Sequence, residues 1–542
     1  MGRFKALVCC TAMALLAMTG ARAPVQAGVM NPIPGDPITI ESGKLSGTLL
    51  DSGVKAYLGV PFAAPPVREL RWHEPMPVKP WKGIYNADSK ITNCYIALRA
   101  TTLNHYFGEI KSSEDCLYAN IWTPPGAKAG DKLPVVVWIH GGGFQEGSIN
   151  FDVYGGEPLA KKGVIFVGIS YRVNIFGNLA HPELTASSGH KASGNYGLMD
   201  QIAGLKWLQR NIAALGGDPA NVTVMGQSAG AMAVDLLQST PLAHGLYAHV
   251  VALSGGYHGV ASPHLETLAE TEAKGVKLQQ AMKARDIAQM RTIPADQITA
   301  IAAANKITFS GPTLEGYAVP GNPADIYAAG KQSDVPLLLA SVGNDIFSKT
   351  AVTDARTLAD YQKAAHDLYG ADADAFLKLF PARNDAEAAH QAMEVARISG
   401  FGIMGRDWAR DASLHAKSPI WLVQYNHPHP YPPGVFISDM DVKTAGAYHN
   451  SDLPFWYGTL DSLNLYRNIR AWTPYDYKLS NQMQDVVVAF ARTGNPVTAE
   501  SKIPRYDPKR EQRLVFGDAG TTIETLNRKQ VDFIETHPAK KN

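Results

Sequence analysis

One pentapeptide, Gly226-Gln227-Ser228-Ala229-Gly230, restricts the fold of this chain more than any other segment. It reads G-x-S-x-G and lies between a strand-like run at 221–225 and a helix-like run at 231–237. A sharp strand-to-helix turn needs glycines where side chains would clash, and it exposes the serine hydroxyl at the end of a sheet. The pattern therefore predicts that Ser228 is a nucleophile at a helix N-terminus, where the helix dipole favours negative charge.

The rest of the chain predicts an α/β architecture. Four runs are apolar almost throughout, as expected of parallel strands that are buried on both faces: 134–139, 164–171, 336–340 and 420–425. Segments with helical spacing or helix-favouring composition lie between or beside them: 195–215, 262–305 and 355–416. A β-meander is expected at 38–60. This alternation favours a large, mostly parallel central sheet that is flanked by helices and carries helical insertions.

The N-terminus has the layout of a secretory signal peptide. Arg3 and Lys5 precede an apolar run that is too short to span a bilayer comfortably, and small residues follow it. Cleavage is expected before Gly28, with a second candidate site after 19–21. The expected organisation is a signal peptide at 1–27 and one domain at 28–542, secreted or periplasmic and without a membrane anchor.

Charge and cysteine content exclude several classes of function. The 50 basic and 49 acidic residues give a formal net charge of +1, which does not favour nucleic acid or an anionic membrane as a partner. Of the four cysteines, two lie in the predicted leader, which leaves Cys94 and Cys116. An even pair in an oxidising compartment predicts a disulfide between them. Nothing in the pattern of thiols and histidines indicates a metal site.

A glycine-rich segment predicts an oxyanion hole. A nucleophilic serine needs a base, an acid that orients the base, and donors for the developing oxyanion. In α/β folds these groups gather at the carboxyl ends of strands. The segment 140–144, which reads His-Gly-Gly-Gly-Phe, follows the predicted strand at 134–139 directly. We assign the oxyanion donors to the backbone amides of Gly142, Gly143 and Ala229.

The order of serine, acid and histidine along the chain suggests the other two members of a triad. His449 follows the run at 420–425 and is the predicted base; His427 and His429 are alternatives, but their Pro-rich segment predicts an exposed turn. Asp345 follows the run at 336–340 and is the predicted acid. Three nearby carboxylates remain as alternatives to it: Glu315, Asp325 and Asp334.

These segments together resemble the type-B carboxylesterase family, which also contains cholinesterases and some secreted lipases. The resemblance covers nearly all of the chain after the leader and is carried by five further motif regions: 57–63, 113–121, 195–201, 216–230 and 490–496. It implies the α/β-hydrolase fold and hydrolysis of a small-molecule carboxylic ester through an acyl-Ser228 intermediate. It implies no metal or organic cofactor. In that family the cysteine of the second signature pairs with an upstream cysteine, as expected for Cys94 and Cys116.

The chain departs from the family pattern near the predicted acid. The family usually has Glu where Asp345 stands and Gly where Ile346 stands, and Asp shortens the reach by one methylene. The family usually has Phe at Leu215, which we interpret as a packing change.

By the same resemblance, the loop closed by the disulfide borders the mouth of the gorge. It is hypothesised to shape leaving-group selectivity through a mixed set of side chains: Tyr95, Ile96, Leu98, Leu103, His105, Tyr106 and Phe107. The aromatic run Phe455-Trp456-Tyr457 is expected to pack in the core rather than to line the pocket.

Three other functions compete with an esterase. A lipase would need a broad apolar lid, whereas the segment between the two cysteines is only moderately apolar. An amidase shares the acyl chemistry. A non-catalytic binding module usually lacks the serine or another triad residue, and all are present here. The sequence carries no signature of the natural ester or of the oligomeric state.

Overall fold

The computed structural model describes residues 31–96, 111–345, 350–437 and 440–537. In chain order its strands are β1 (Ile38–Ile40), β2 (Gly43–Ser46), β3 (Thr48–Leu49), β4 (Lys55–Pro61), β5 (Ile84–Asn86), β6 (Asn93–Cys94), β7 (Ser112–Ser113), β8 (Tyr118–Thr123), β9 (Leu133–Ile139), β10 (Ile165–Ile169), β11 (Gly217–Gln227), β12 (His249–Leu253), β13 (Glu266–Thr267), β14 (Thr313–Leu314), β15 (Leu337–Val342), β16 (Ile420–Tyr425), β17 (Gln512–Gly517) and β18 (Gly520–Thr525).

Helices connect and cover these strands. They are α1 (Glu157–Lys161), α2 (Asn174–Asn178), α3 (Pro182–Ser187), α4 (Tyr196–Asn211), α5 (Ala229–Ser239), α6 (Leu268–Ala281), α7 (Ile287–Thr292), α8 (Ala295–Ala304), α9 (Pro323–Ala328), α10 (Ala351–Asp354), α11 (Leu358–Tyr369), α12 (Ala373–Leu379), α13 (Asp385–Arg397), α14 (Phe401–Ser413), α15 (Leu453–Tyr457), α16 (Pro474–Thr493) and α17 (Arg528–Thr536). Short 3₁₀ turns cover Arg68–Leu70, Asp152–Tyr154, Ile212–Leu215, Pro241–Ala243, Gly370–Asp372 and Leu460–Asn464.

An eleven-stranded sheet in the order β18-β17-β16-β15-β12-β11-β9-β10-β8-β4-β3 forms the centre of the described part of the chain. Its seven strands from β17 to β10 are parallel, and antiparallel strands complete both edges. From β9 the chain moves to β10 on one side and then returns to β11 on the other. The carboxyl ends of β9 and β11 therefore flank a switch point, which is where open α/β sheets place their sites.

Both faces of the sheet are buried, because central strands such as β9 and β10 carry apolar side chains on both of their faces. Along β9, Val135, Val137 and Ile139 belong to one core, whereas Val136 and Trp138 belong to the other. This alternation is the two-residue period of a strand. Helices α4, α5 and α14 cover the first face, and α15 and α16 cover the second. The predicted α/β class with a mostly parallel sheet is confirmed.

The strands of the central sheet that the sequence analysis did not identify are β8, β12, β17 and β18. Strand β12 begins with His249 and is only five residues long, and β17 begins with two polar residues, so neither is a continuous apolar run. Strand β12 lies between β11 and β15, and β17 pairs with β16, which is distant from it in sequence. The meander at 38–60 forms, but it is divided, because β1 and β2 pair with β5 in a separate sheet.

Cys94 and Cys116 form the predicted disulfide, with their Cα atoms 4.8 Å apart. The bond joins β6 to the segment that leads into β8. Of the loop residues expected to border the gorge, Tyr95 and Ile96 are described, whereas Leu98, Leu103, His105, Tyr106 and Phe107 lie outside the described residues.

The predicted signal peptide also lies outside the residues that the structure describes. Within the described ranges, no helix combines the length and the apolar character that crossing a membrane requires.

Candidate active site

Ser228 lies on a strained turn between β11 and α5. Its φ is +56°, a left-handed conformation that a residue with a side chain adopts only at a cost. The turn is held by a hydrogen bond of 2.8 Å from the Ser228 amide to the carbonyl of Leu253. Gly230 packs so closely on the end of β9 that a β-carbon there would overlap the carbonyl of Ile139. The G-x-S-x-G pattern thus forms the predicted strand–turn–helix unit, and Ser228 is 8% exposed.

The predicted oxyanion segment lies directly against this turn. It follows β9, and three consecutive residues have positive φ angles: Gly142 (+113°), Gly143 (+63°) and Phe144 (+58°). A β-carbon on Gly141 would stand 3.0 Å from the Ser228 β-carbon and 2.6 Å from the Gln227 carbonyl oxygen. The structure therefore brings the glycine segment, Ser228 and the adjoining Ala229 at the start of α5 to one place.

The predicted acid and base are also in contact. His449 Nδ1 and Asp345 Oδ1 are 2.6 Å apart, and Asp345 is fully buried just beyond the end of β15. Asn344 pairs with Tyr448 in a short parallel bridge, and its amide donates to the carbonyl of Ala447 at 2.8 Å. This pairing joins the segment after β15 to the segment that carries His449. On one face of the imidazole lies the ring of Phe401, whose centroid is 5.4 Å away.

A side chain of the nucleophile turn reaches the imidazole. Gln227 Nε2 lies 3.1 Å from His449 Nε2, which is the ring nitrogen opposite the one that contacts Asp345. Gln227 itself is 2% exposed. The imidazole is therefore held at both nitrogens, by the carboxylate on one side and by the residue before Ser228 on the other.

The alternative carboxylates have structural roles elsewhere. Glu315 accepts from Asn195 Nδ2 at 2.8 Å and from the Ala318 amide at 2.7 Å, so it holds a turn. Asp334 accepts from the amides of Lys417 and Ser418. Asp325 lies in the first turn of α9, where a carboxylate favours the helix dipole. Of the four carboxylates that the sequence offered, Asp345 is the one found against His449.

The prediction that the Pro-rich segment at 427–430 is an exposed turn was wrong. His429 is 4% exposed; its Nε2 donates to the Ser451 carbonyl at 2.7 Å, and its Nδ1 accepts from Arg470 Nε at 2.9 Å. Burial and the Arg470 charge hold the pKa of His429 well below its ordinary value, which fits a neutral ring. Arg470 also donates to the Tyr448 hydroxyl at 2.9 Å. His429 therefore supports the His449 segment rather than replacing it.

His427 occupies the margin of the same region. Its two ring nitrogens contact Asp476 at 2.8 Å and Asp518 at 2.6 Å, and these carboxylates raise the pKa of His427 in spite of its burial. It links the start of α16 to the hairpin between β17 and β18. His427 therefore has a structural role, although it lies near the site.

Asp452 is a buried carboxylate beside the site that the sequence analysis missed. It lies three residues after His449 at the start of α15, and its Oδ2 accepts from Trp456 Nε1 at 2.9 Å. Burial, followed by the charge of Asp345, raises the pKa of Asp452 to about 6. An aspartate that precedes a helix is usually a cap, so its position gave no signal. The three aromatics that follow, Phe455, Trp456 and Tyr457, are fully buried, as predicted.

A cavity of about 270 Å³ opens beside the glycine segment. Polar and apolar side chains line it together, among them Gln145, Glu146, Asn174, Ile175, Ala302 and Phe309. Gln145 and Glu146 follow Phe144 directly in the chain, whereas Ser228 and His449 do not line this cavity. Among the described residues, no group of three or more His, Cys, Asp or Glu side chains is arranged to hold a metal ion.

Comparison with known proteins identifies the family of this chain. The model of the carboxylesterase family matches residues 35–534. Fumonisin B1 esterase of Sphingopyxis macrogoltabida is 34% identical over 498 residues, which cover 88% of this chain and 85% of that protein. Para-nitrobenzyl esterase of Bacillus subtilis (strain 168) is 31% identical over 499 residues, which cover 90% of this chain and 96% of that protein.

Solved structures show the same architecture. A PNB esterase structure superposes with a TM-score of 0.74 at 27% identity, over 93% of this chain and 99% of the other. A thermophilic PNB esterase superposes with a TM-score of 0.73 at 28% identity, over 91% of this chain and 99% of the other. Since the family match spans nearly the whole chain and both curated relatives are esterases, the protein belongs to the carboxylesterase family and is a carboxylic ester hydrolase with the α/β-hydrolase fold.

Proposed function

We propose that this protein hydrolyses small-molecule carboxylic esters through a covalent acyl-Ser228 intermediate. His449 acts as general base and then as general acid, and Asp345 orients its imidazole. The observation that carries the proposal is the 2.6 Å contact between His449 Nδ1 and Asp345 Oδ1, in a site where the opposite ring nitrogen faces the Ser228 turn. When Asp345 accepts a hydrogen bond from Nδ1–H, the lone pair of the neutral ring is on Nε2. This is the tautomer that a general base needs.

The chemistry then follows two half-reactions. As Ser228 Oγ attacks the ester carbonyl, its proton passes to His449 Nε2 and the carbonyl oxygen becomes an oxyanion. The backbone amides of Gly142, Gly143 and Ala229 would stabilise that charge. The imidazolium gives its proton to the alcohol oxygen as the carbon–oxygen bond breaks. Water activated by His449 then attacks the acyl-enzyme, and the acid leaves with Ser228 regenerated.

The cavity beside the glycine segment supports an ester of modest size. Its volume of about 270 Å³ and its mixed lining suit a substrate with both an apolar part and a polar group. This mixed lining is not the broad apolar surface that a lipase needs. Since one methylene changes selectivity by only about 1–3 kcal/mol, short soluble esters are suitable first probes.

The proposal includes the cellular location and the domain organisation of the enzyme. A disulfide between Cys94 and Cys116 supports an oxidising compartment, and with the predicted leader at 1–27 it supports export to the periplasm or the medium. The family match over 35–534 supports one domain after the leader.

The test is hydrolysis of p-nitrophenyl acetate and butyrate by the wild type and by Ser228→Ala. We expect the variant to lose about 10⁴–10⁶-fold in kcat while its thermal unfolding is unchanged. Ser239→Ala is a matched control, because Ser239 is a buried serine on the same helix as the nucleophile turn. A fluorophosphonate should label the wild type and Ser239→Ala but not Ser228→Ala. Undiminished turnover by a folded Ser228→Ala enzyme would overturn the proposal.

A further inference from the structure

The residue before the nucleophile is aimed at the base. Gln227 is the last residue of β11, and its side chain is buried against the site rather than in the core. Its Nε2 lies 3.1 Å from His449 Nε2, the atom that receives the Ser228 proton in the proposed mechanism. Buried amides are almost always hydrogen-bonded, and here the partner is the reacting nitrogen itself.

The direction of this hydrogen bond follows from the groups around it. Because Asp345 accepts a hydrogen bond from Nδ1–H, Nε2 of the neutral ring carries a lone pair and can only accept a hydrogen bond. The amide group must therefore present its N–H side to the ring. The oxygen end of the amide lies on the side of Gly141, where an added β-carbon would stand 2.8 Å from Gln227 Oε1.

We propose that Gln227 is a positioning residue that donates its amide N–H to His449 Nε2, holding the imidazole in its neutral, basic tautomer and disfavouring the protonated ring. The proposal rests on the proposed function, in which His449 is the base. It adds a second neutral donor at Nε2, the nitrogen that also takes the Ser228 proton in the proposed mechanism. Asp345 favours the cationic form of the ring, whereas a neutral donor at the opposite nitrogen favours the uncharged form.

The hydrogen bond must change during each half-reaction. When Ser228 Oγ forms its bond to the acyl carbon, the Oγ–H bond breaks and an Nε2–H bond forms. Because Nε2 has one lone pair, the Gln227 contact must give way to the Ser228 hydroxyl before this proton moves, and the resulting Nε2–H can no longer accept from Gln227. The contact is restored once Nε2 gives the proton to the leaving alcohol oxygen. Gln227 therefore opposes accumulation of the imidazolium and promotes its return to the neutral ring.

The charged groups near the imidazole are carboxylates, whose effect on the ring is opposite to that of Gln227. Asp345 contacts Nδ1 from the end of β15, and Asp452 lies at the start of α15, where the His449 charge lowers the pKa of Asp452 against the larger effect of burial. Phe401 covers one face of the ring from α14 and carries no charge. Both carboxylates favour the cation. The Gln227 amide is a neutral donor at Nε2, and it favours the uncharged ring instead.

The experiment is the pH dependence of kcat/KM for the wild type, Gln227→Glu and Gln227→Met, with neutral p-nitrophenyl butyrate so that the substrate does not titrate. A carboxylate at this position accepts from the protonated ring, so Gln227→Glu should move the acid limb up by about one pH unit. Gln227→Met keeps the volume but removes the donor, and should move the limb up by about half a pH unit with an unchanged KM.

Gln238→Met is the matched control. Gln238 is an equally buried glutamine, on α5, whose amide is bonded to Ser333 and Tyr327 and not to the site. Its acid limb should superimpose on that of the wild type. If both Gln227 profiles also superimpose on the wild type, the inference is wrong; should Gln227→Glu fail to fold, the Gln227→Met profile decides alone.

Failure of this inference is distinguishable from failure of the proposed function. If folded His449→Ala is labelled by a fluorophosphonate as fast as the wild type, the proposed triad is wrong and Gln227 has no base to act on. If His449→Ala loses labelling while the Gln227 variants keep the wild-type pH profile, the triad stands and only the role of Gln227 is overturned.

Discussion

The two halves of the candidate site are built in different ways. The nucleophile half consists of the Ser228 turn and the glycine segment at 140–144, each continuous in sequence and placed at the ends of the adjacent strands β11 and β9. The acid–base half joins residues 104 positions apart, Asp345 and His449, through loops that follow β15 and β16. Backbone conformation fixes the first half, and side-chain contacts fix the second.

This difference determines which changes each half tolerates. In the nucleophile half Gly141, Gly142, Gly226 and Gly230 leave no room for a side chain, because backbone atoms of neighbouring segments occupy that space. In the acid–base half the loop at 448–451 is supported from outside, by Asn344 on one side and by His429 and Arg470 on the other. Substitutions in the first half should distort the turn, whereas those in the second should change orientation and protonation.

The largest effect is expected for Asp345→Asn. An amide that donates to His449 Nδ1 would leave the proton on Nε2, so the ring could no longer accept from Ser228, and kcat should fall by about 10⁴. Steady-state hydrolysis of p-nitrophenyl butyrate measures this. Asp334→Asn is the control, because Asp334 holds an exposed turn at 417–418. If Glu315→Gln were inactive and Asp345→Asn active, the acid would have been misassigned.

Gly141→Ala tests the nucleophile half. The added β-carbon would stand 2.6 Å from the Gln227 carbonyl oxygen and 3.0 Å from the Ser228 β-carbon, so the oxyanion segment must move. We expect kcat to fall by about 10²–10³, as for the loss of one oxyanion donor. Gly189→Ala, where nothing lies within 4 Å of the new carbon, should be unaffected. Equal activity of the two variants would show that the close approach at Gly141 is not needed.

Asp452→Asn separates stability from catalysis in the acid–base half. The pKa of Asp452 is raised to about 6, so the folded protein binds this proton more tightly than the unfolded chain and loses stability as the pH rises from about 4 to 6. The variant removes that penalty and should be more stable by about 2 kcal/mol at pH 8, and by about half as much at pH 5. Urea unfolding at both pH values measures the difference, and an equal gain at pH 5 and pH 8 would contradict the assignment.

Arg470→Met tests the outer support of the His449 loop. Arg470 is 1% exposed and donates to both His429 Nδ1 and the Tyr448 hydroxyl. Its loss should let the loop shift and lower kcat by about tenfold with little change in KM, because a small misplacement of a catalytic group costs rate rather than substrate affinity. Arg470→Lys should recover part of the rate.

Arg492→Met is the control for that variant, since Arg492 is exposed and donates to the Lys162 carbonyl far from the loop. A rise in KM at constant kcat in Arg470→Met would assign Arg470 to substrate binding. Wild-type kinetics would show that the loop holds its position without it.

The same contrast explains what the sequence could and could not predict. The strand–turn–helix unit around Ser228 was predicted correctly, because its period, glycines and serine all lie within 17 residues, at 221–237. The four continuous apolar strands were predicted for the same reason. Strand β17 was not, because it begins with the polar residues Gln512 and Arg513 and takes its place in the sheet from β16, some 90 residues earlier in the chain. Likewise His429 was predicted to be exposed because prolines usually mark turns, yet burial by Arg470 and Tyr448 decided its environment.

By itself the sequence determined the α/β class, the nucleophile turn, the glycine segment beside it and the pairing of Cys94 with Cys116, because each depends on short-range patterns or on a small choice of partners. Only the tertiary structure decided that Asp345 rather than another carboxylate contacts His449, that Asp452 is buried beside them, and that Gln227 reaches the imidazole. The physical reason is that these contacts join segments whose distance in space is set by the order of strands in the sheet, and no local pattern of residues records that order.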